Sequence, residues 1–514
     1  MFYKPELGLS VIYESVDGTG STLTAVDMSQ NDLIYNAGVL YSDDFEIYNP
    51  ESFVYTRADG TSYRISVNKG LTSLTAPTGE QITFSDNGII SSDGKSISYT
   101  RDADGNIISV ESHTGKKVTY EYDVFGDLKA VTDIDGDVCR FSYSDHYVTE
   151  IFDPRGVRAT KNEYDDDGRL IKTIDADGNE IVYDHDIEGR QEIVTDRNGG
   201  ITVCSYDDDG NITAQTDANG NTVKMSYDEN GRLTSKTDAL GNTVTYRYNS
   251  NGTLAETVDA EGISVKNTYN SAGQVLSIDR MGVITNIFTY DSKGRKLSST
   301  DANGNETDYS YDSCGKISSI TDEIGSYFNI TYDSNGNAVS ALNGTGSKAS
   351  FAYDEDGNCI SKTVTYTENG VEKSYTESFV YDIHGNAVKS VDGEGNITSR
   401  EYNSIGKLES ETDSMGNVKR YTYDNRGNLS QISYSDSTTE VFTYDKEGNI
   451  ITAKDRFGHT AEMTYDKEGH ILSKTYENGA GKSYEYDANY NVISETDSNG
   501  GIKYFMIRSA EILQ

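Results

Sequence analysis

Short runs in which apolar and polar residues alternate, each closed by a turn containing Gly, fill most of the chain. In the stretch 227–248, YDENGRLTSKTDALGNTVTYRY, period-2 alternation places Val244, Tyr246 and Tyr248 on one face of a strand. Leu233 heads the run before it. Between the runs, Asp228 can fold its carboxylate back onto main-chain N–H groups, and Gly231 supplies the positive φ that closes such a turn. Asp238 and Gly241 repeat the device ten residues on. The pattern predicts two strands and two turns, one β-hairpin per unit.

The unit recurs. A Tyr, followed by Asp or Asn everywhere but at Tyr143, stands at Tyr122, Tyr143, Tyr164, Tyr206, Tyr227, Tyr248, Tyr269, Tyr290, Tyr311, Tyr332, Tyr353, Tyr381, Tyr402, Tyr423, Tyr444, Tyr465 and Tyr486, with His185 filling one slot. Of the 17 gaps between these 18 anchors, 16 are 21 residues long, and the remaining one, from 353 to 381, is 28. Six places after an anchor the residue is usually apolar, as at Leu128, Leu170, Ile212, Leu254, Ile317, Leu408, Leu429, Ile450 and Ile471, which sets the register of the returning strand. Gln191 and Lys296 break this rule and are expected to mark local register slips.

Eighteen hairpins amount to about 36 antiparallel strands, a sheet roughly 170 Å wide at ~4.8 Å per strand. Strand twist makes so wide a sheet curl. Hydrophobic residues are only 35% of the 514, with 39 Tyr, 49 Gly, 4 Pro and no Trp. A wall around a hollow is therefore expected in place of a packed sandwich, with Tyr rings packing across strands and their hydroxyls reaching polar partners. The formal charge of −40 argues against nucleic acid and anionic membrane as partners. No run approaches 18 apolar residues, and the N-terminus lacks the three regions of a signal peptide.

In YDENGRLTSKTDALGNTVTY the chain resembles the RHS or YD-repeat family, which includes bacterial polymorphic toxins, wall-associated proteins, toxin-complex components and teneurins. The resemblance implies an all-β fold in which tandem hairpins form a long antiparallel sheet coiled into a hollow spiral shell. It divides the chain into a non-repeat segment 1–52, an irregular strand-rich start 53–121, the repeat array 122–500 and a truncated tail 501–514. Toxin-bearing members close their shells with DPxG-type phrases, a self-cleavage site and a variable effector, whereas here the one Asp-Pro is Asp153-Pro154, inside the array. The expected function is a non-catalytic scaffold of a secreted or cell-surface protein, enclosing or presenting an effector polypeptide not contained in this chain. A complementary shell chain is a further expected partner. The alternative is a surface adhesin or carbohydrate-binding repeat protein with surface glycans as partners.

Catalytic, cofactor and metal sites are not expected. Asp-rich turns such as 165–168, 207–210 and 354–357 lack the ligand spacing of a calcium loop and read as solvated Asx turns. The six His show no metal-ligand spacing, and Cys139, Cys204, Cys314 and Cys359 show no CxxC. The Cys residues are expected to be buried small apolar groups. The seven-residue insertion lengthens the hairpin at 354–380, whose tip, Thr367, Glu368, Asn369 and Gly370, carries a strong type I′ turn signal. This tip is the candidate contact loop for a partner.

Overall fold

The computed structural model describes residues 6–13, 21–36, 38–42, 44–57, 59–325 and 327–505. Every regular element among them is a strand. Glu6–Leu9, Leu33–Asn36 and Val39–Tyr41 form a small antiparallel sheet. The strand Thr22–Ala25 instead pairs with Ser52–Thr56 and begins the main sheet of 45 strands, which runs to Ile502–Tyr504. The sheet does not close into a barrel: among the described residues, Ile502–Tyr504 pairs with Val492–Asp497 alone. Of the tail expected at 501–514, residues 506–514 lie outside the described residues.

By contact, the chain separates into two compact units. One comprises Met1–Lys117, Arg247–Thr257 and Ser264–Thr376, and the other Val118–Tyr246, Val258–Ile263 and Glu377–Gln514. Among the described residues, neither shows a conventional core. The buried apolar residues among those described are Ala25, Leu33, Ala130, Ala218, Val244 and Ala461, five of them small or β-branched, so the sheet packs through half-buried side chains on its faces.

The expected hairpin is built as follows. Thr222–Tyr227 pairs with Leu233–Thr237, which pairs with Thr243–Tyr248. Asp228 N–H donates to Arg232 O at 3.0 Å, and Gly231, at φ +72°, donates to Asp228 O at 3.0 Å. The Asp228 carboxylate accepts from Asn230 N (2.9 Å) and Arg232 N (3.0 Å), so it satisfies the N–H groups two and four places on. The second turn copies the first: Asp238 Oδ1 accepts from Leu240 N and Asn242 N, Asn242 Nδ2 donates to Oδ2, and Gly241 sits at φ +91°. Geometry matters here more than charge, since Asn403 at the same place accepts from Ile405 N and Lys407 N.

Whereas Tyr143 pairs with Val148, five places on, the anchor Tyr typically pairs directly with the residue six places on, as in Tyr227↔Leu233, Tyr423↔Leu429 and Tyr486↔Val492. Just before that pair the register shifts by one, because Thr234 is an extra, bulged residue between Leu233 and Ser235. The bulge resolves an apparent conflict in the odd period. Strand side chains alternate with period 2, so an odd repeat keeps Tyr and Leu on one face only if one residue per unit is absorbed.

Beyond the bulge lies the link between successive hairpins. The ladder joining Ile212–Thr216 to Thr222–Tyr227 ends at Ala214↔Lys224, and the carbonyl of Ile212, two residues further, accepts the Tyr227 hydroxyl at 2.9 Å. The same bond recurs from Tyr290 to Val275 O (2.9 Å), Tyr423 to Leu408 O (2.7 Å), Tyr444 to Leu429 O (2.6 Å) and Tyr486 to Ile471 O (2.8 Å). His185 takes the missing tyrosine's part, with Nε2 2.8 Å from Leu170 O and Nδ1 2.7 Å from Glu192.

The expected slip at Gln191 is present, as Asp186↔Gln191 pairs without a bulge and Arg190 takes φ +54°. At Lys296 there is none. Lys296 lies in regular register opposite Tyr290, with its ammonium 4.5 Å from the centre of the Tyr309 ring, so a long aliphatic stem substitutes for Leu. The Cys expectation also needs correction: Cys139, Cys204 and Cys359 are half-buried and Cys314 is exposed, because a sheet without a core offers few fully buried positions.

Tyr423→Phe removes one inter-hairpin bond and leaves the Leu408 carbonyl without it, which is expected to cost about 0.5–1.5 kcal/mol in urea denaturation. Asp413→Asn is expected to leave the midpoint nearly unchanged and Asp413→Ala to lower it, since only the alanine removes the acceptor for Met415 N and Asn417 N.

Candidate functional site

The unit built from Val118–Tyr246, Val258–Ile263 and Glu377–Gln514 carries the richest constellation of side chains. Its two long segments meet along their turns. The turn that follows each anchor Tyr in 377–514 lies against the second turn of a repeat twelve units earlier. His384 Nε2 is 2.8 Å from Asp135 and 3.9 Å from Asp133. Arg426 Nε is 3.2 Å from Asp177, and its Nη1 is 3.6 Å from Asp175. Glu447 accepts from the main-chain N and the Nη1 of Arg197, the latter at 3.1 Å. Glu468 accepts from Ala218 N at 2.7 Å, and Asn489 Nδ2 donates to Asp238 at 2.6 Å. Ile405 shares a cleft of about 580 Å³ with Pro154. Neighbouring amides add Asn198 Nδ2 to Asp445 and Asn219 Nδ2 to Asp466, both 2.9 Å.

Asp175 is the hub of this seam. It is 7% exposed, and its carboxylate faces Arg197 Nε at 3.2 Å as well as Arg426. Burial works against its ionisation, yet hydrogen bonds from Asn179 and Asp177 and the charge of Arg426 hold its carboxyl below the usual range. At the far end Tyr490 donates to Asp217, accepts from Asn221 Nδ2 (2.9 Å) and stacks on His470 with ring centres 4.0 Å apart.

The long hairpin is formed by Cys359–Glu368 and Val371–Tyr381. Asn369 and Gly370 take φ +52° and +77°, the geometry of a type I′ turn. The strand Lys348–Tyr353 pairs alongside only as far as Thr365, so Thr367 and Glu368 run past it. Lys373 and Glu368 form an ion pair, Tyr366 meets Tyr375 edge-on at 6.5 Å, and Val371 is 60% exposed.

A second concave place lies on the Tyr-bearing face. Phe442, Ala453, Ala461 and Tyr476 follow one another across four strands, and the two alanines leave a trough of about 660 Å³ between the aromatic rings. Lys454, Lys474, His459, Glu440, Asp455 and Glu477 border it. Among the described residues, no group of three or more His, Cys, Asp or Glu could hold a metal ion. His459 and His470 do the work that Asn does in other turns, with Nδ1 3.0 Å from Asp455 and 3.2 Å from Asp466.

Comparison with known proteins places this geometry. The family model described as the teneurin YD-shell matches residues 242–419 and 411–500, together half of the chain, and the RHS repeat model matches 101–138, 164–201 and 206–236. The chain belongs to the RHS/YD-shell family. No curated protein matches it. Among solved structures, TcdB2-TccC3 is similar at 14% identity and a TM-score of 0.53, over 94% of this chain and 35% of that one. TcdB2-TccC3 without its hypervariable C-terminal region is similar at 13% identity and a TM-score of 0.55, over 94% and 34%. This YD-shell chain thus spans about a third of the length of the structures it matches.

In this YD-shell chain most of the anchor positions meet the carbonyls of the preceding hairpin, which sequence reasoning left as unspecified polar partners. The seam residues were missed altogether. The third residue after the anchor varies widely, from His384 to Ile405, Arg426 and Glu447, but so does the second, from Ile383 to Asn425 and Lys446, so the sequence alone did not single it out.

Burial raises the phenols of Tyr290, Tyr423 and Tyr444, and burial together with the bond to Asp217 pushes Tyr490 up to about 12. In the unfolded chain phenols ionise near pH 10. The stability these groups contribute is therefore complete below about pH 10 and is lost as the pH rises through their raised native values, about 12 for Tyr490. Melting temperature measured from pH 8 to 12 is expected to stay level to about pH 10 and then drop, with a shallower drop in Tyr490→Phe.

Proposed function

We propose that this chain is a non-catalytic shell scaffold of a secreted or cell-surface protein, which encloses or presents an effector polypeptide. The observation that carries the reading is the combination of RHS/YD-shell membership with a 45-strand sheet whose buried apolar residues number only a handful among those described. Such a sheet serves as a boundary, since it has no interior in which to build a conventional pocket. One of the similar structures is TcdB2-TccC3 lacking its hypervariable C-terminal region, which supports a shell whose contents vary independently of its wall. A complementary shell chain is the second partner on this reading, and Thr367, Glu368, Asn369 and Gly370 at the long hairpin's tip are the proposed contact loop.

The test is protection. Co-expressed with the polypeptide encoded downstream or by a neighbouring gene, the chain is expected to shield that polypeptide from protease until the shell is unfolded. Equal digestion rates with and without the shell would overturn the proposal. Deleting Thr367–Lys373 is expected to preserve the melting temperature and weaken partner capture.

The trough between Phe442 and Tyr476 favours a second reading, a glycan-binding surface. Aromatic faces beside carboxylates and lysines suit a sugar ring, which has apolar faces and a polar rim. On a glycan array, binding that disappears in Tyr476→Ala would favour this reading over the scaffold, and a blank array would remove it.

A further inference from the structure

We infer that the residue three places after each anchor Tyr is an address that sets the register between two rows of turns, so that the row accepts only a partner row of matching sequence. The inference concerns the seam within the unit containing 118–246 and 377–514. Six consecutive anchors, Tyr381 to Tyr486, carry His384, Ile405, Arg426, Glu447, Glu468 and Asn489 at this place. Each meets the second turn of the repeat twelve units earlier, and the chemistry matches pair by pair. His384 faces Asp135 and Asp133, and Ile405 shares a cleft with Pro154. Arg426 faces Asp177 and Asp175. Glu447 faces Arg197, Glu468 faces a main-chain N–H, and Asn489 faces Asp238.

Apart from Arg155 and Tyr490, which also reach across the seam, the rest of the repeat does little to distinguish one alignment from the next. Its turns share one construction, with Asp or Asn first and, except at Tyr490, Gly fourth, so sliding one row by 21 residues would superimpose nearly identical backbones. The keyed residues oppose that slip. Moved one repeat in one direction, Arg426 meets the turn bearing Arg197. Moved one repeat in the other, Glu447 meets Asp175 and Asp177. Either shift replaces attraction by like-charge contact, and it does so around Asp175, which is buried and intolerant of an unpaired charge. A repetitive sheet thereby gains a unique alignment that its repeats alone cannot specify.

The test reads register directly, in a background with the four native Cys replaced by Ser. Lys467 N donates to Asn219 Oδ1 at 3.3 Å, so cysteines at Asn219 and Lys467 report the native alignment by cross-linking. Cysteines at Asn198 and Lys467 report a one-repeat slip. Exchanging two addresses, Arg426→Glu with Glu447→Arg, leaves composition and net charge unchanged. It is expected to lower the native cross-link several-fold and the melting temperature by several degrees. A wild-type cross-link and melting temperature in this variant would overturn the inference. Should the exchange prevent folding, the neutral pair Arg426→Gln and Glu447→Gln is read instead, with the same loss of native cross-link expected and an unchanged yield contradicting it. A separate cycle pairs Arg426→Asp with Asp177→Arg: the second substitution is expected to restore most of the cross-link lost in the first, whereas independent, additive losses would mean that the two residues do not address each other.

Discussion

A single hydrogen bond, from the anchor tyrosine's hydroxyl to a main-chain carbonyl of the hairpin before it, holds the repeats to one another. Its geometry depends on the bulge that follows each Tyr turn. The bulge keeps Tyr and the residue six places on opposite each other while the inter-repeat ladder stops two residues short, and the ring bridges the shortfall. A net contribution of about 1 kcal/mol per bond is small alone. Repeated along the sheet, it makes the stability of each hairpin depend on its neighbours, as in other repeat proteins. His185 shows what the position demands: an aromatic ring ending in a donor that reaches the same carbonyl.

This construction explains why the chain manages with so few apolar residues. Stability is distributed over ladders, Asx turns, tyrosine bonds and half-buried faces, and among the described residues the one large side chain that is fully buried is Leu33, in the small separate sheet. The turns carry much of this load because each Asp oxygen satisfies two N–H groups that would otherwise need water. The same turns then serve a second purpose where two rows meet, and there the side chains that the hairpin itself leaves unused supply Arg426, Glu447 and Asn489.

Much of the fold was legible in the sequence because its determinants are local. The period, both turns, the Tyr-to-Leu register and the long hairpin follow from residues fewer than 21 apart, and they stand in the structure where the pattern put them. The bulge was latent in the odd period but unread, since Thr234 differs in no way from a ladder residue. Lys296 looked like a defect only because its charge hid its aliphatic stem. The seam was invisible for a different reason. Asp177 and Arg426 are separated by twelve repeats, and the variation that encodes their meeting looks like noise when each repeat is judged alone. His384 and His470 likewise lacked ligand spacing; Asp135 across the seam explains the first, and the stacked ring of Tyr490 in the next repeat explains the second.

The central claim is that this protein is held together as a two-faced wall without a packed core, and the heat capacity change of unfolding tests it most directly. Globular proteins expose enough buried apolar surface to give about 12–15 cal/mol/K per residue. A wall whose side chains are mostly half-buried exposes far less, and calorimetry on the purified chain should return a value clearly below that range. A value within it would mean that a conventional core exists, and would contradict the account.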